Sequence, residues 1–262
     1  MLRNDIVPST AALGWESDYF QPSYHQRRAA EKRSTDSFRT TNRLLNRLRA
    51  ETLEALSPHL RRITAKREQF LFQQDEALEY IYFPESAVIS ELHLLDDGRM
   101  VEVAISGRES AVGVSSLYDV RHTANCVQVT QSGTLLRIES VLLKRQSAID
   151  SELPLLLHPS LESYIRQISQ RAVCNMYHSI EERLCTWLVL VHELSEKRSL
   201  QLTHEQIARA LGVYRPSVTC IALELRNAGM IDYKRGGISI LDRERLVRSA
   251  CDCYEELRPI AD

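Results

Sequence analysis

The sequence predicts an α+β chain in three parts: an N-terminal β-roll of the jelly-roll kind, a long central dimerisation helix, and a C-terminal winged helix-turn-helix. Three observations carry that prediction. Between about Leu60 and Ile138 the apolar residues recur with period two, and the runs are separated by turn sequences such as Asp96-Asp97-Gly98-Arg99. After Pro159 the period becomes three-and-four over a long stretch. From Leu202 to Asn227 two short helical patterns meet at Gly212, and a basic turn, Lys234-Arg235-Gly236-Gly237, follows between alternating isoleucines and Tyr233.

The chain has 262 residues, a hydrophobic fraction of 44% and a net charge of -2, enough to fill two cores and without a basic excess that would mark a general polyanion binder. No apolar run reaches membrane-spanning length and the first residues lack a signal-peptide core, so a cytoplasmic location is expected. Residues 1–40, rich in Ser, Thr, Arg and Gln, read as a flexible leader. One amphipathic helix, Asn42 to Leu56, is expected next, ended by Pro58. Residues 41–158 then form the sensor unit, with strands at Phe70–Phe72, Tyr80–Phe83, Val88–Leu95, Met100–Ile105 and Thr134–Ile138. A closed β-module of this size can enclose a small ligand.

Residues 159–180 are assigned to the central helix. Leu161, Ile165, Ile168, Ala172 and Met176 form a stripe expected to meet a second copy, while Gln167, Gln170 and Arg171 lie off it. A second apolar helix, Ile180 to Leu194, and a linker, Ser195 to Ser199, lead into the reader, which with its flanking helices occupies residues 181–262. Thr203 and Gln206 form a capping box, Leu202 and Ile207 a hydrophobic staple, and Gly212 suits the left-handed end of the first helix. The second helix begins near Arg215 with Pro216 in its first turn. A last helix is expected from Asp242 to Leu257.

Placed in a major groove, the second helix offers Arg215 for a bidentate contact to guanine, and Pro216, Thr219 and Cys220 for apolar contact with thymine methyls. Thr203, Ser217, Lys234 and Arg235 are assigned to phosphates. The six cysteines, Cys126, Cys174, Cys185, Cys220, Cys251 and Cys253, show neither a C-x-x-C knuckle nor four ligands at metal spacing, so no metal site is expected. No nucleophile elbow, zinc-protease motif or phosphate-cradling glycine loop occurs, which speaks against an enzyme. The one enzymatic alternative is a metal held across strands by His93 and His122, which lacks a supporting carboxylate pattern.

Residues 42 to about 245, and best of all the stretch Leu202 to Leu225 with the wing through Ile240, resemble the cyclic-AMP receptor and fumarate-nitrate regulator (Crp/Fnr) family of bacterial transcription factors. The resemblance implies a cyclic-nucleotide-binding-like β-roll, a homodimer paired along its central helices, a near-palindromic DNA operator, and RNA polymerase as a protein partner. It also brings departures. Where cyclic-AMP binders carry a glycine-glutamate pair and an arginine-serine-alanine run, this chain has Gly113-Val114 and His122-Thr123-Ala124, with Arg121 one place early. Where the oxygen-sensing branch carries N-terminal cysteines, this chain has none before Cys126. The sequence thus argues against cyclic AMP and against an iron-sulfur cluster, and it leaves the effector unknown, with haem open through a single histidine ligand. The competing class is a dimeric signalling or partner-binding protein whose helix no longer reads DNA.

Overall fold

The computed structural model describes residues 38–234 and 236–258; the leader assigned to residues 1–40 lies outside these except for its last three residues. The first helical segment is two helices, α1 (Arg43–Asn46) and α2 (Ala50–Leu56), where one was expected. Asn42 explains the break. It caps α1, accepting from the Leu45 N–H at 3.0 Å, while its buried amide donates to the carbonyls of Pro84 (2.8 Å) and Ser110 (3.1 Å), so α1 is fixed to the roll independently of α2. A 3-10 turn at Ser57–His59, with Pro58 in it, ends α2.

Seven strands form the roll: β1 (Arg61–Ala65), β2 (Phe70–Phe72), β3 (Tyr80–Pro84), β4 (Val88–Leu94), β5 (Met100–Ser106), β6 (Cys126–Gln131) and β7 (Gly133–Glu139). They pair antiparallel in two sheets, ordered β1-β7-β3 and β2-β6-β4-β5. Buried Ile81, Phe83, Ile89, Val129, Leu135 and Leu136 fill the space between and beneath the sheets. Gly133, the first residue of β7, allows close approach, since a Cβ there would lie 2.3 Å from the Ala87 nitrogen. Strands β1 and β6 were absent from the sequence expectation. The CVQVTQ run of β6 is buried on both faces, and its polar residues are satisfied internally: Gln128 donates to the Glu68 carbonyl at 3.1 Å and Gln131 exchanges two 3.2 Å bonds with the backbone of Gln201.

After α3 (Ser140–Ile149) comes α4 (Glu152–Tyr177), the central helix, which starts seven residues before the expected Pro159 and carries that proline within it. Its inward row is Leu153, Leu157, Ser160, Tyr164, Gln167, Arg171 and Cys174, spaced three and four apart. Gln167 bonds both the N–H (2.8 Å) and the carbonyl (3.0 Å) of Ile105 on edge strand β5, and Arg171 pairs with buried Glu102, which also accepts from Trp187 Nε1 at 2.8 Å and Ser90 Oγ at 2.5 Å. Gln167 and Arg171, which lie off the apolar stripe expected to meet a second copy, are thus the residues that hold α4 to the roll.

Helix α5 (Ile180–Ser195) opens with a Ser179–Glu182 capping box and runs through the C-terminal core, with Leu184, Leu188 and Val191 fully buried. The reader comprises β8 (Ser199–Leu200), α6 (His204–Leu211), α7 (Arg215–Asn227), β9 (Ile231–Lys234) and β10 (Gly237–Ile240). The expected linker contributes Ser199 to β8, so the wing has three strands in the order β8-β10-β9 rather than two. The single C-terminal helix expected from Asp242 divides into α8 (Arg243–Arg248) and α9 (Cys253–Leu257). At the division the Cys251 N–H donates to Thr186 Oγ1 of α5 at 3.0 Å instead of continuing the helix. Among the described residues no helix is long and apolar enough to cross a membrane.

Candidate nucleic-acid interface

Local rules set the angle between α6 and α7. Thr203 Oγ1 accepts from the Gln206 N–H at 3.2 Å, and Gln206 Oε1 accepts from the Thr203 N–H at 2.9 Å, closing the capping box. Leu202 and Ile207 are both fully buried, as a staple requires. Gly212 ends α6 with φ 65° and ψ 38°, a left-handed conformation that glycine adopts without steric cost. Val218, Ala222 and Leu225 then bury one face of α7 against α6 and α5. The opposite face is exposed and carries Arg215, Pro216, Thr219 and Cys220.

Of the expected base-contacting residues, Arg215 extends its guanidinium from the first turn of α7, and Pro216 lies beside it where its missing N–H leaves no vacant helical bond. Thr219 is already occupied through its hydroxyl, which lies 3.1 Å from the Arg215 carbonyl and 3.0 Å from His204 Nδ1, leaving its methyl outward. His204 in turn stacks on Tyr233 of the wing, ring centroids 4.5 Å apart. Burial, then the Arg215 charge, lowers the His204 pKa. Tyr214, the N-terminal neighbour of α7, is 77% exposed next to Arg215, and the sequence pattern missed it because an isolated tyrosine before a helix has no periodic signal.

The expected phosphate-contacting residues divide. Ser217 is half-buried and Lys234 is exposed on β9, its ammonium 3.2 Å from Asp232, which Arg226 approaches at 3.8 Å. Asp232 thus offsets part of the wing's positive charge. Thr203 spends its hydroxyl on the cap, and Arg235 lies outside the described residues. The turn between α6 and α7 rests on the roll: a Cβ on Gly212 would stand 3.1 Å from Val101 Cγ2 of β5. Arg67 Nη1 donates to Gln206 Oε1 at 3.1 Å across the same contact.

Residues 182–249 match the Crp-like helix-turn-helix domain. The chain is 22% identical over 212 residues to the anaerobic regulatory protein of Bacillus subtilis, an alignment covering 78% of this chain and 87% of that one. Its fold is shared with FixK2 from Bradyrhizobium japonicum (TM-score 0.63, 17% identity, 73% of this chain and 98% of that chain). It is shared equally with a putative regulator of the Crp/Fnr family from Eubacterium rectale (TM-score 0.63, 18% identity, 79% and 97%). The chain thus carries a Crp-like helix-turn-helix domain at residues 182–249 and shares the fold of these solved structures.

The roll has a cavity of about 230 Å³ against α4, lined by Glu91, His122, Asn125 and Tyr164 among others. Burial pushes the Glu91 carboxyl up to about 7, with the Tyr164 hydroxyl pulling the other way. Val114 is buried in the roll's apolar core. His93 bonds Asn125 Oδ1 through Nδ1 at 3.0 Å and is not brought into a ligand set with His122.

One expectation is overturned. The sequence led to the expectation of no metal site and argued against an iron-sulfur cluster, yet the fold gathers Cys174, His178, Cys251 and Cys253 with their ligand atoms all within 4.8 Å of one another. About 75 residues separate the two halves of this set, so no local spacing motif could reveal it. A weaker signal was present: Cys174 and His178 are four apart on a helix and so share its face.

Proposed function

We propose that the chain acts in the cytoplasm as a homodimer that reads a near-palindromic operator, inserting the amino-terminal half of α7 into the major groove of each half-site. The observation that carries this reading is the exposed row Arg215, Pro216, Thr219 and Cys220, held by a capped α6 on one side and the wing on the other. Arg215 is the base reader, through guanine O6 and N7. Pro216, Cys220 and the outward methyl of Thr219 supply apolar surface for thymine methyls. Ser217 and Lys234, with Arg235, are assigned to phosphates, where they set register without specifying sequence. Thr203 contributes through the helix it caps.

The dimer seam is assigned to α4. Ile165, Ile168, Ala172 and Met176 are exposed in the single chain, Leu161 is half-buried against the roll, and Val173 and Tyr177 widen the patch. An apolar stripe of that length on a helix whose other face is already satisfied supports pairing with a second copy. Residues 41–158 serve as the sensor, 159–180 as the dimerisation helix and 181–262 as the reader, and the cavity beside Glu91 is where an effector would act. RNA polymerase is the protein partner this arrangement would regulate.

The test selects an operator from random duplexes with the full-length protein and then compares two variants by fluorescence anisotropy. Arg215→Ala is expected to lose about 1–3 kcal/mol per half-site together with preference at one symmetric base pair. Lys234→Ala is expected to weaken cognate and scrambled duplexes alike and to lower the salt slope by about one unit per half-site. A uniform loss for Arg215→Ala with altered base preference for Lys234→Ala would make the wing the reader.

A further inference from the structure

We propose that Cys174, His178, Cys251 and Cys253 form a tetrahedral site for one zinc-class divalent ion, which ties the end of the central helix to the C-terminal helix. The inference goes beyond the DNA reading and stands on the four side chains alone.

The helix supplies the first pair. His178, the C-cap of α4, follows Cys174 by four residues, and its N–H donates to the Cys174 carbonyl at 3.1 Å, which keeps the two residues one turn apart. The second pair flanks the start of α9, where the chain has just been turned by the bond from the Cys251 N–H to Thr186. Cys174 Sγ and Cys251 Sγ are 3.9 Å apart, and Cys253 Sγ lies 3.5 Å from His178 Nδ1. A tetrahedral ion bonded at about 2.3 Å to sulfur and about 2.0 Å to nitrogen holds two thiolates about 3.8 Å apart and a thiolate and an imidazole about 3.6 Å apart. These two separations are close to those that a single ion would impose, and all four ligand atoms lie within 4.8 Å of one another.

The surroundings suit thiolates. All three cysteines are buried, and the sulfurs have polar neighbours: Gln170 Nε2, a donor, lies 2.7 Å from Cys253 Sγ, and Thr186 Oγ1, which also bonds the Glu182 carbonyl at 2.9 Å, lies 3.1 Å from Cys251 Sγ. Outer donors of this kind orient ligands and stabilise their charge. Three thiolates, one neutral imidazole and a divalent ion leave one negative charge, and Arg183, partly buried beside Cys174 and Cys251, offsets it. Arg183 also donates to the Leu211 carbonyl at the end of α6. A bound ion would thus fasten α9 to α4 at a point one side chain from the helix-turn-helix.

Three soft sulfur ligands and one imidazole select zinc over calcium or magnesium, and binding releases the thiol protons. The test uses the full-length protein, purified under reducing conditions without chelator and analysed for metal, sulfide and thiols. One zinc per chain is expected. After removal of metal under argon, titration with Co²⁺ should saturate at one equivalent with the visible bands of tetrahedral cobalt and thiolate-to-cobalt charge transfer. Cys251→Ser should weaken Co²⁺ binding by at least tenfold, while Cys220→Ser, which removes an exposed thiol elsewhere, should leave it unchanged. His178→Ala, at the half-buried edge of the cluster, should retain thiolate charge transfer and bind at least about tenfold more weakly. Should Cys251→Ser fail to fold, the stoichiometry and spectrum of the parent protein still decide. Failure of the metal-free parent, with all six thiols reduced, to take up one equivalent of Co²⁺ or Zn²⁺ would overturn the proposal. So would recovery of iron with acid-labile sulfide, because that means a multi-iron cluster in place of one ion.

Discussion

Glu102 and Glu91 are the residues at which burial and charge are most tightly balanced. Glu102 is buried among Arg171, Trp187 and Ser90; burial raises its pKa and the Arg171 charge is the largest opposing influence. Removing one partner of such a pair strands a buried charge, so Arg171→Met is expected to cost about 3 kcal/mol in urea unfolding, and Glu102→Gln added to it should recover part of that loss. Glu91 behaves differently because no cation faces it. Its folded value, about 7, lies above the ordinary 4.5, so the folded state holds the proton more tightly than the unfolded state does. Stability from this residue is accordingly greatest at acid pH and declines as pH rises from about 4.5 through 7. Glu91→Gln is expected to leave stability at pH 4.5 nearly unchanged and to raise it at pH 8 by at most about 3 kcal/mol, as read by urea denaturation at the two pH values. Equal effects at both would place the Glu91 carboxyl in water.

At the scale of elements, α6, Gly212, α7 and the β9–β10 hairpin were legible in the sequence because each is fixed by local chemistry: a capping box, a left-handed glycine, a proline in the first turn and a short basic turn. What was not legible depended on distant partners. The apolar residues of α4 marked a face, and nothing in the spacing gave its polar residues a partner. In the fold Gln167 and Arg171 point inward, because edge strand β5 offers unpaired backbone groups and Glu102 offers a charge, neither of which periodicity records. Strand β6 escaped notice for the same reason, its glutamines and threonine being buried against partners elsewhere in the chain. The apolar stripe of α4 is left exposed by this arrangement, with Ile165 63% and Met176 75% accessible. Ile168→Asp, which would bring two charges together in an apolar seam, is expected to sediment as a monomer at micromolar concentration. An unchanged dimer would move the interface away from α4.

For the whole molecule, the roll, the central helix and the reader are joined by polar contacts rather than by a loose linker: Gln131 with Gln201, Arg67 with Gln206, and Arg108 with Glu196. The net charge of -2 gives no general attraction for DNA, so on the proposed reading affinity rests on local cations at two half-sites engaged together. The sequence reached this architecture through its helix-turn-helix and period changes. It missed the cluster of Cys174, His178, Cys251 and Cys253, because only the folded chain brings the ends of α4 and α9 together. The central claim is that a dimer of this chain reads DNA in a specific sequence. Its most direct test is the binding of the selected operator and of a scrambled duplex across a range of salt. The expected result is preferential binding of the operator, with an affinity that falls steeply and linearly on a logarithmic plot as salt is added. Equal binding of both duplexes, or none at low salt, would contradict the claim and favour a dimeric signalling protein that no longer reads DNA.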